Sequence, residues 1–353
     1  MFNNRMLIGA SNRMTKKMLT LGISLFLLII AFAGCMEEVE NNGGGEVTFS
    51  IQQLIDNALP GDMITIPSDT YYENIVINKS ISLIGENEET TIIVGNGIED
   101  VIYISADGIN LSGFTIQNSG QKMMNGGIYI RSNYNTIFDN IIENNKNCGI
   151  FLWFSSNNNI FENTITNNSD YGIYIHGSFH NNIHKNTILK NRFSGVYLGN
   201  SSHNKISENI ITNNSWDGVS LYASSIYNII LDNNIANNDK VGIRISQSSN
   251  NNTISGNNLT KNLHYGILLF YSSNDNIIYH NNFIDNNQNA NDECSNIWDN
   301  NYTLGGNYWD DYSGTDDNGD GIGDTAYIIP GGVYAIHDGN NQDRYPFVNL
   351  KGK

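Results

Sequence analysis

A unit of 22–24 residues recurs seven times without interruption, and it decides what this chain can fold into. Each unit opens on a glycine and an aliphatic residue: Gly127-Ile128, Gly149-Ile150, Gly172-Ile173, Gly195-Val196, Gly218-Val219, Gly242-Ile243 and Gly266-Ile267. Residues then alternate, so that Ile128 and Ile130 share one face of a strand and Tyr129 takes the other. A second strand carries Ile137, Ile160, Ile183, Ile206, Ile230, Ile254 or Ile278. Three residues on stands Asn140, Asn163, Asn186, Asn209, Asn233, Asn257 or Asn281, and two further an Ile, Leu or Phe (Ile142 through Phe283). One such unit cannot bury its own apolar face, so units must stack as a solenoid. Stacking sets like positions about 4.8 Å apart. The Asn series then reads as a ladder of amides satisfying one another, with no catalytic meaning. The fold class is therefore all-β, a parallel β-helix.

Upstream the pattern is looser but apolar pairs persist: Ile64/Ile66, Ile75/Ile77, Ile81/Leu83, Ile92/Val94 and Ile102/Ile104, then Leu111, Phe114 and Ile116. Phe114 takes the corner that Asn holds later. Ile51, Leu54, Ile55 and Ala58 have helical spacing, stopped by Pro60-Gly61, and a helix here covers the open N-terminal edge. In the column before the ladder, Lys185 stands between Glu162 and Glu208, which predicts a modest cross-coil ion pair.

The N-terminus is a targeting segment. Lys16-Lys17 precede an apolar run from Leu19 to Phe32, which ends Ala33-Gly34-Cys35. This resembles a lipobox, with Cys35 lipidated and Phe32 in place of the usual Leu. The chain divides into a signal peptide (1–35), a flexible tether (36–48), the β-helix (49–300) and an Asp/Gly-rich module (301–353). The chain is thus expected to be exported and anchored by lipid at the cell surface, as a monomer. The net charge of −17 excludes nucleic-acid binding by phosphate neutralisation. Cys148 and Cys294 lie too many coils apart for a disulfide and read as packing residues.

The Gly-Ile-x-Ile and Asn-x-Ile-x-x-Asn coils resemble the NosD-like, carbohydrate-binding and sugar-hydrolase class of right-handed β-helix proteins. Gly306-Asn307-Tyr308-Trp309-Asp310-Asp311-Tyr312 and Gly319-Asp320-Gly321-Ile322-Gly323-Asp324 resemble a terminal module of archaeal surface members. The resemblance covers about residues 50–350 and implies a right-handed helix and an exported location. NosD proteins are associated with copper delivery to nitrous oxide reductase, a function that coils alone do not carry over.

Three chemistries have candidate residues. Asp316, Asn318, Asp320, the Ile322 carbonyl and Asp324 offer oxygens at alternate positions around the sharp turn at Gly321, the pattern of a structural calcium loop. Tyr327 replaces the usual final Glu and no helices flank the loop, so it is no EF-hand; Asp310, Asp311 or Asp338 are candidates to complete the shell. The second candidate is an outward aromatic face: Tyr129, Phe151, Tyr174 and Tyr197 in one column, Trp153, His176, Tyr222 and Phe270 beside it, and Trp216-Asp217 at the strand entry. Such a face suits sugar rings, although aromatic ladders also serve only to stabilise strands. The third is copper at His180 and His203, which share a register about 5 Å apart but lack Cys or Met partners, so copper is not expected.

An enzyme would use the same aromatic face. Tyr171-Gly172-Ile173-Tyr174-Ile175-His176 is partly similar to the Tyr-Gly-x-Asp-Pro-His pattern of alginate epimerases, but the Asp and Pro are absent. Asp170 and Asp217, two coils and about 10 Å apart, stand wide for a glycosidase pair. The leading expectation is non-catalytic binding of extracellular polysaccharide. A polysaccharide lyase, epimerase or hydrolase is the alternative, and copper-accessory work of the NosD kind the second.

Overall fold

A computed structural model describes residues 49–122, 124–331 and 341–350. Cys35, the signal segment and the tether lie outside the described residues, as does Asp338. The chain winds as a right-handed parallel β-solenoid of about 11 turns. Each coil gives one short strand to each of three parallel sheets, which hold 10, 11 and 10 strands. In one representative coil these are Thr136–Phe138, Ile141–Glu143 and Cys148–Trp153. Ile137, Ile142 and Ile150 pair in register with Ile160, Ile165 and Ile173 of the next coil, and all six are fully buried. Each such side chain contributes about 1.5–3 kcal/mol on burial. In the earlier Ile92–Val94 strand the inward residue is Ile93, not the flanking pair.

The polar cost of turning three corners per coil is met by ladders. Asn140 Nδ2 donates to Asn163 Oδ1 (3.1 Å) and to the Leu111 carbonyl (3.0 Å), and its backbone N–H also reaches Asn163 Oδ1 (3.1 Å). The first ladder residue caps Phe114, whose N–H donates to Asn140 Oδ1. Two further ladders run beside this one. Asn135, Asn158, Asn181, Asn204, Asn228, Asn252 and Asn276 form the first. Asn145, Asn168, Asn191, Asn214, Asn238 and Asn262 form the other. A serine ladder from Ser155 to Ser273 follows the third sheet and closes on Cys294 Sγ. Cys148 and Cys294 are both free thiols.

The column before the central ladder is a turn position. Asp139, Glu162, Lys185, Glu208 and Asp232 all have φ between 51° and 57°. Left-handed backbone is costly for such residues, and the ladder Asn that follows offsets it. The expected ion pair is not formed: neither Glu162 nor Glu208 comes within 4.0 Å of Lys185, because the turn splays these side chains into solvent. The repeating glycine has a steric cause. A Cβ at Gly172 would stand 2.6 Å from the Gly195 carbonyl oxygen, 2.6 Å from Ile188 Cγ2 and 2.9 Å from Asn191 Nδ2.

Both ends of the solenoid are closed. Helix α1 (Ile51–Asn57) buries Ile51 and Ile55. Glu73 takes the N–H groups of Ile51 (2.9 Å) and Gln52 (3.0 Å), and Lys79 Nζ reaches the carbonyls of Ile55, Asp56 and Ala58. A carboxylate at the N-terminus and an ammonium at the C-terminus both complement the helix dipole. At the far end, Tyr308–Trp309 adds the last strand to the second sheet. Trp309 is stacked between Phe283 (4.2 Å) and Tyr327 (4.2 Å).

Candidate ligand-binding face

Alternation in the third sheet sends every second side chain outward, and register stacks them. The column runs Tyr103, Tyr129, Phe151, Tyr174, Tyr197, then Ser220, Arg244 and Leu268. Successive ring centroids lie 5.4, 5.0, 4.9 and 4.9 Å apart. Tyr103 extends the expected column by one coil; its Ile102-Tyr103-Ile104 alternation carried the signal. Beside it Trp153 stacks on His176 at 4.5 Å, and Gly199 then leaves a gap before Tyr222.

Rings stacked at this spacing give their faces to each other and turn edges outward. Phe151 is fully buried, while Tyr129, Trp153, Tyr174, His176 and Tyr197 are half-buried. The column is therefore chiefly a stabilising ladder, and its members are not an exposed stripe. Open aromatic surface lies at its borders. Phe154 is 59% exposed, Trp216 43%, Tyr222 41% and Phe193 37%. Phe193 and Trp216 neighbour one another at 6.2 Å in the turn that leads into the third sheet, with Lys240 Nζ 5.6 Å from the Trp216 ring.

Asp217 does not reach this surface. It is fully buried, and Arg244 holds it through Nε (2.6 Å) and Nη2 (2.9 Å) while the Val241 N–H donates at 3.2 Å. Burial still lifts its pKa against that guanidinium. Arg244 was the partner the sequence did not supply, since 27 residues separate the two. With Asp217 neutralised, an Asp170–Asp217 acid pair does not form. Two other carboxylates do stand on this face. Asp100 and Asp170 have pKa values pushed up to about 6, chiefly by burial. Asp100 accepts the Gly126 N–H at 2.7 Å. His176 Nδ1 is buried without a hydrogen-bond partner, and desolvation lowers the pKa of its ring.

The acidic loop curls on itself. Asp316 accepts the N–H groups of Gly319, Asp320 and Gly321, Asp320 accepts that of Ile322 and the Tyr302 hydroxyl, and Asp324 accepts that of Asp317. Asn318 Oδ1 takes the Asp320 N–H. Asp310 and Asp311 lie elsewhere: Asn289 Nδ2 bridges them (2.7 and 2.9 Å) in a cleft of about 610 Å³ that Tyr327 also lines.

The model of the family described as periplasmic copper-binding protein (NosD) matches residues 50–215 and again 169–314. No curated protein matches the chain in sequence. Among solved structures, the chain is similar to ORF18 of Geobacillus virus E2 (TM-score 0.59, 17% identity, 69% of this chain and 56% of that one). It is similar to the enzymatically active domain of tailspike protein 2 of bacteriophage CBA120 (TM-score 0.56, 15% identity, 67% and 40%). It is also similar to an alginate lyase from Paenibacillus sp. str. FPU-7 (TM-score 0.51, 14% identity, 68% and 93%). The chain thus spans little more than half the length of the viral protein, and at these identities the likeness is one of fold.

The described residues do not fit a copper centre. No three His, Cys, Asp or Glu among them are grouped to hold one ion. His180 and His203 do meet, with ring centroids 5.0 Å apart, but the next ring in the column is Tyr227 at 5.2 Å. The Cys148 thiol is buried, and desolvation drives its pKa well above the ordinary range, away from the thiolate that ligates metal.

Proposed function

Because the chain belongs to the NosD family of right-handed β-helix proteins, whose description is periplasmic, we propose that it works outside the cytoplasm as a surface-tethered, non-catalytic binder of extracellular polysaccharide. The observation that carries this reading is the open aromatic border of the third sheet, where Phe193 and Trp216 present ring surface beside a rigid ladder. Apolar ring faces of this kind pack against the C–H faces of sugars, and a stiff ladder beneath them limits the ordering cost of binding. The solved relatives named above include a polysaccharide-degrading lyase, which supports a glycan as ligand. Non-catalysis is favoured because Asp217, the natural second carboxylate, is tied up by Arg244. In this reading Cys35 carries the lipid, and the Asp316–Asp324 loop takes a structural calcium, its backbone bonds already bending Asp316, Asn318 and Asp320 around Gly321.

The test is a glycan array with the full exported chain, alongside Phe193→Ala/Trp216→Ala and an assay for unsaturated or reducing-end products. Binding that the double variant loses, with no product formed, supports the proposal. Product formation would make the chain an enzyme, and unchanged binding by the double variant would move the site elsewhere.

A further inference from the structure

We propose that the polysaccharide held here is a polyanion bearing carboxylate or sulfate groups, and that Lys146, Arg192 and Lys240 read its charge. This rests on the glycan-binding reading above. The chain has only 18 Lys and Arg against 35 Asp and Glu, so a cation on its surface ordinarily finds a carboxylate nearby. These three do not. Among the described residues the ion pairs are Arg244–Asp217 and Arg344–Asp299.

The solenoid register explains how they stay free. In the turn leading into the third sheet, the N–H groups of Ser169, Arg192, Ser215 and Asp239 each bond one coil back, to Asn145, Asn168, Asn191 and Asn214. Those bonds put Lys146, Ser169, Arg192 and Ser215 in one column, so no acid sits directly above or below Arg192. Lys185 is the contrast, since its own column flanks it with Glu162 and Glu208. Lys240 occupies the adjacent column, between Trp216 and His264. Lys146, Arg192 and Lys240 therefore recur every second coil, about 10 Å apart along the axis.

The surroundings add the rest of a recognition element. Lys240 Nζ stands 5.6 Å from the Trp216 ring, so a sugar lying on the open indole would have an ammonium beside its rim, where a pendant anion projects. The acids of this face offset the cations only in part. Asp217 is neutralised by Arg244, Asp170 beside Arg192 is half-buried, and Asp239 is exposed. A neutral glycan would gain nothing from cations kept apart from their own carboxylates. A polyanion laid along the axis would meet one at alternate coils and release its counterions, as polyelectrolytes do when neutralised.

The test measures binding of the full exported chain to a polyuronate and to a neutral glucan of matched length, at low and at physiological salt. Arg192→Gln/Lys240→Gln and Trp216→Ala are measured beside the parent, with melting curves showing that each is folded. The polyuronate should bind at least about 10-fold tighter than the glucan and weaken with salt; the charge variant should lose about 10-fold for the polyuronate alone. Trp216→Ala should weaken whichever glycan binds. Equal binding of both glycans, unmoved by the charge variant, overturns the polyanion and leaves the glycan face standing. Binding of neither overturns both.

Discussion

Replacing Asn209 by Ala strikes the middle of the central ladder. Its Oδ1 accepts from the Asn186 N–H (2.9 Å) and Nδ2 (3.0 Å), and its Nδ2 donates to the Ile183 carbonyl (3.0 Å) and Asn233 Oδ1 (2.9 Å). Asn209 is 1% exposed, and its neighbours Asn186 and Asn233 are 0% exposed. Ala removes four hydrogen bonds and leaves two N–H donors of Asn186 facing a dry cavity too small and apolar for ready hydration. At about 1 kcal/mol net per bond, and more for each stranded donor, the loss is about 4–6 kcal/mol. The expectation is a drop in urea midpoint of that size, followed by circular dichroism. The solenoid can instead respond by uncoupling the two halves, which would appear as a lowered m-value. Two controls bracket the result. Glu208→Asn, at the exposed left-handed position next door, should change stability little or raise it. Asn286→Ala, at the half-exposed end of another ladder, should cost less because water reaches the stranded groups. A loss under about 1 kcal/mol at Asn209, equal to that at Asn286, would refute the idea that mutual amide satisfaction holds the corners.

Other outcomes follow from the same geometry. Arg244→Met leaves Asp217 buried with one backbone donor and should cost about 3–5 kcal/mol in thermal or urea unfolding, with Asp217→Asn restoring part of it; a neutral single variant would refute the pairing as the support of that carboxylate. Asp100 and Asp170 hold their protons up to about pH 6 when folded, above the model value of 3.8. Their contribution to stability is therefore full below the unfolded pKa and lost as pH rises through about 6. The melting temperature should rise on acidification from pH 7 to 5, by about 1–2 kcal/mol equivalent per group after solvent screening, and Asp100→Asn/Asp170→Asn should flatten that slope. Calcium should raise the melting temperature of the parent and not of Asp320→Ala, with a chelator reversing it; no shift in the parent removes the Asp316–Asp324 calcium site.

Much of the architecture was legible because a solenoid makes sequence period and spatial period the same thing. The inward isoleucines, the central asparagine ladder, the capping helix and the NosD-like likeness all follow from one register. Two more asparagine ladders and the serine ladder carried the same period. They hid among the abundant Asn and Ser of the turns, where composition gives no contrast. The glycine column was visible, but its cause was not: only stacking shows that a Cβ would strike the next coil.

The sequence by itself determined which residues face outward and which coils they share, since alternation and period settle both. Tertiary structure decided what those outward residues do. Register spends the faces of Tyr129, Phe151 and Tyr174 on one another, leaving Phe193 and Trp216 open. A bond across 27 residues takes Asp217 out of the surface and gives it to Arg244. The turn before the third sheet keeps Arg192 away from acids that are plentiful elsewhere. Each of these depends on distances between neighbouring coils and on what each group shields from water, and a one-dimensional pattern carries neither.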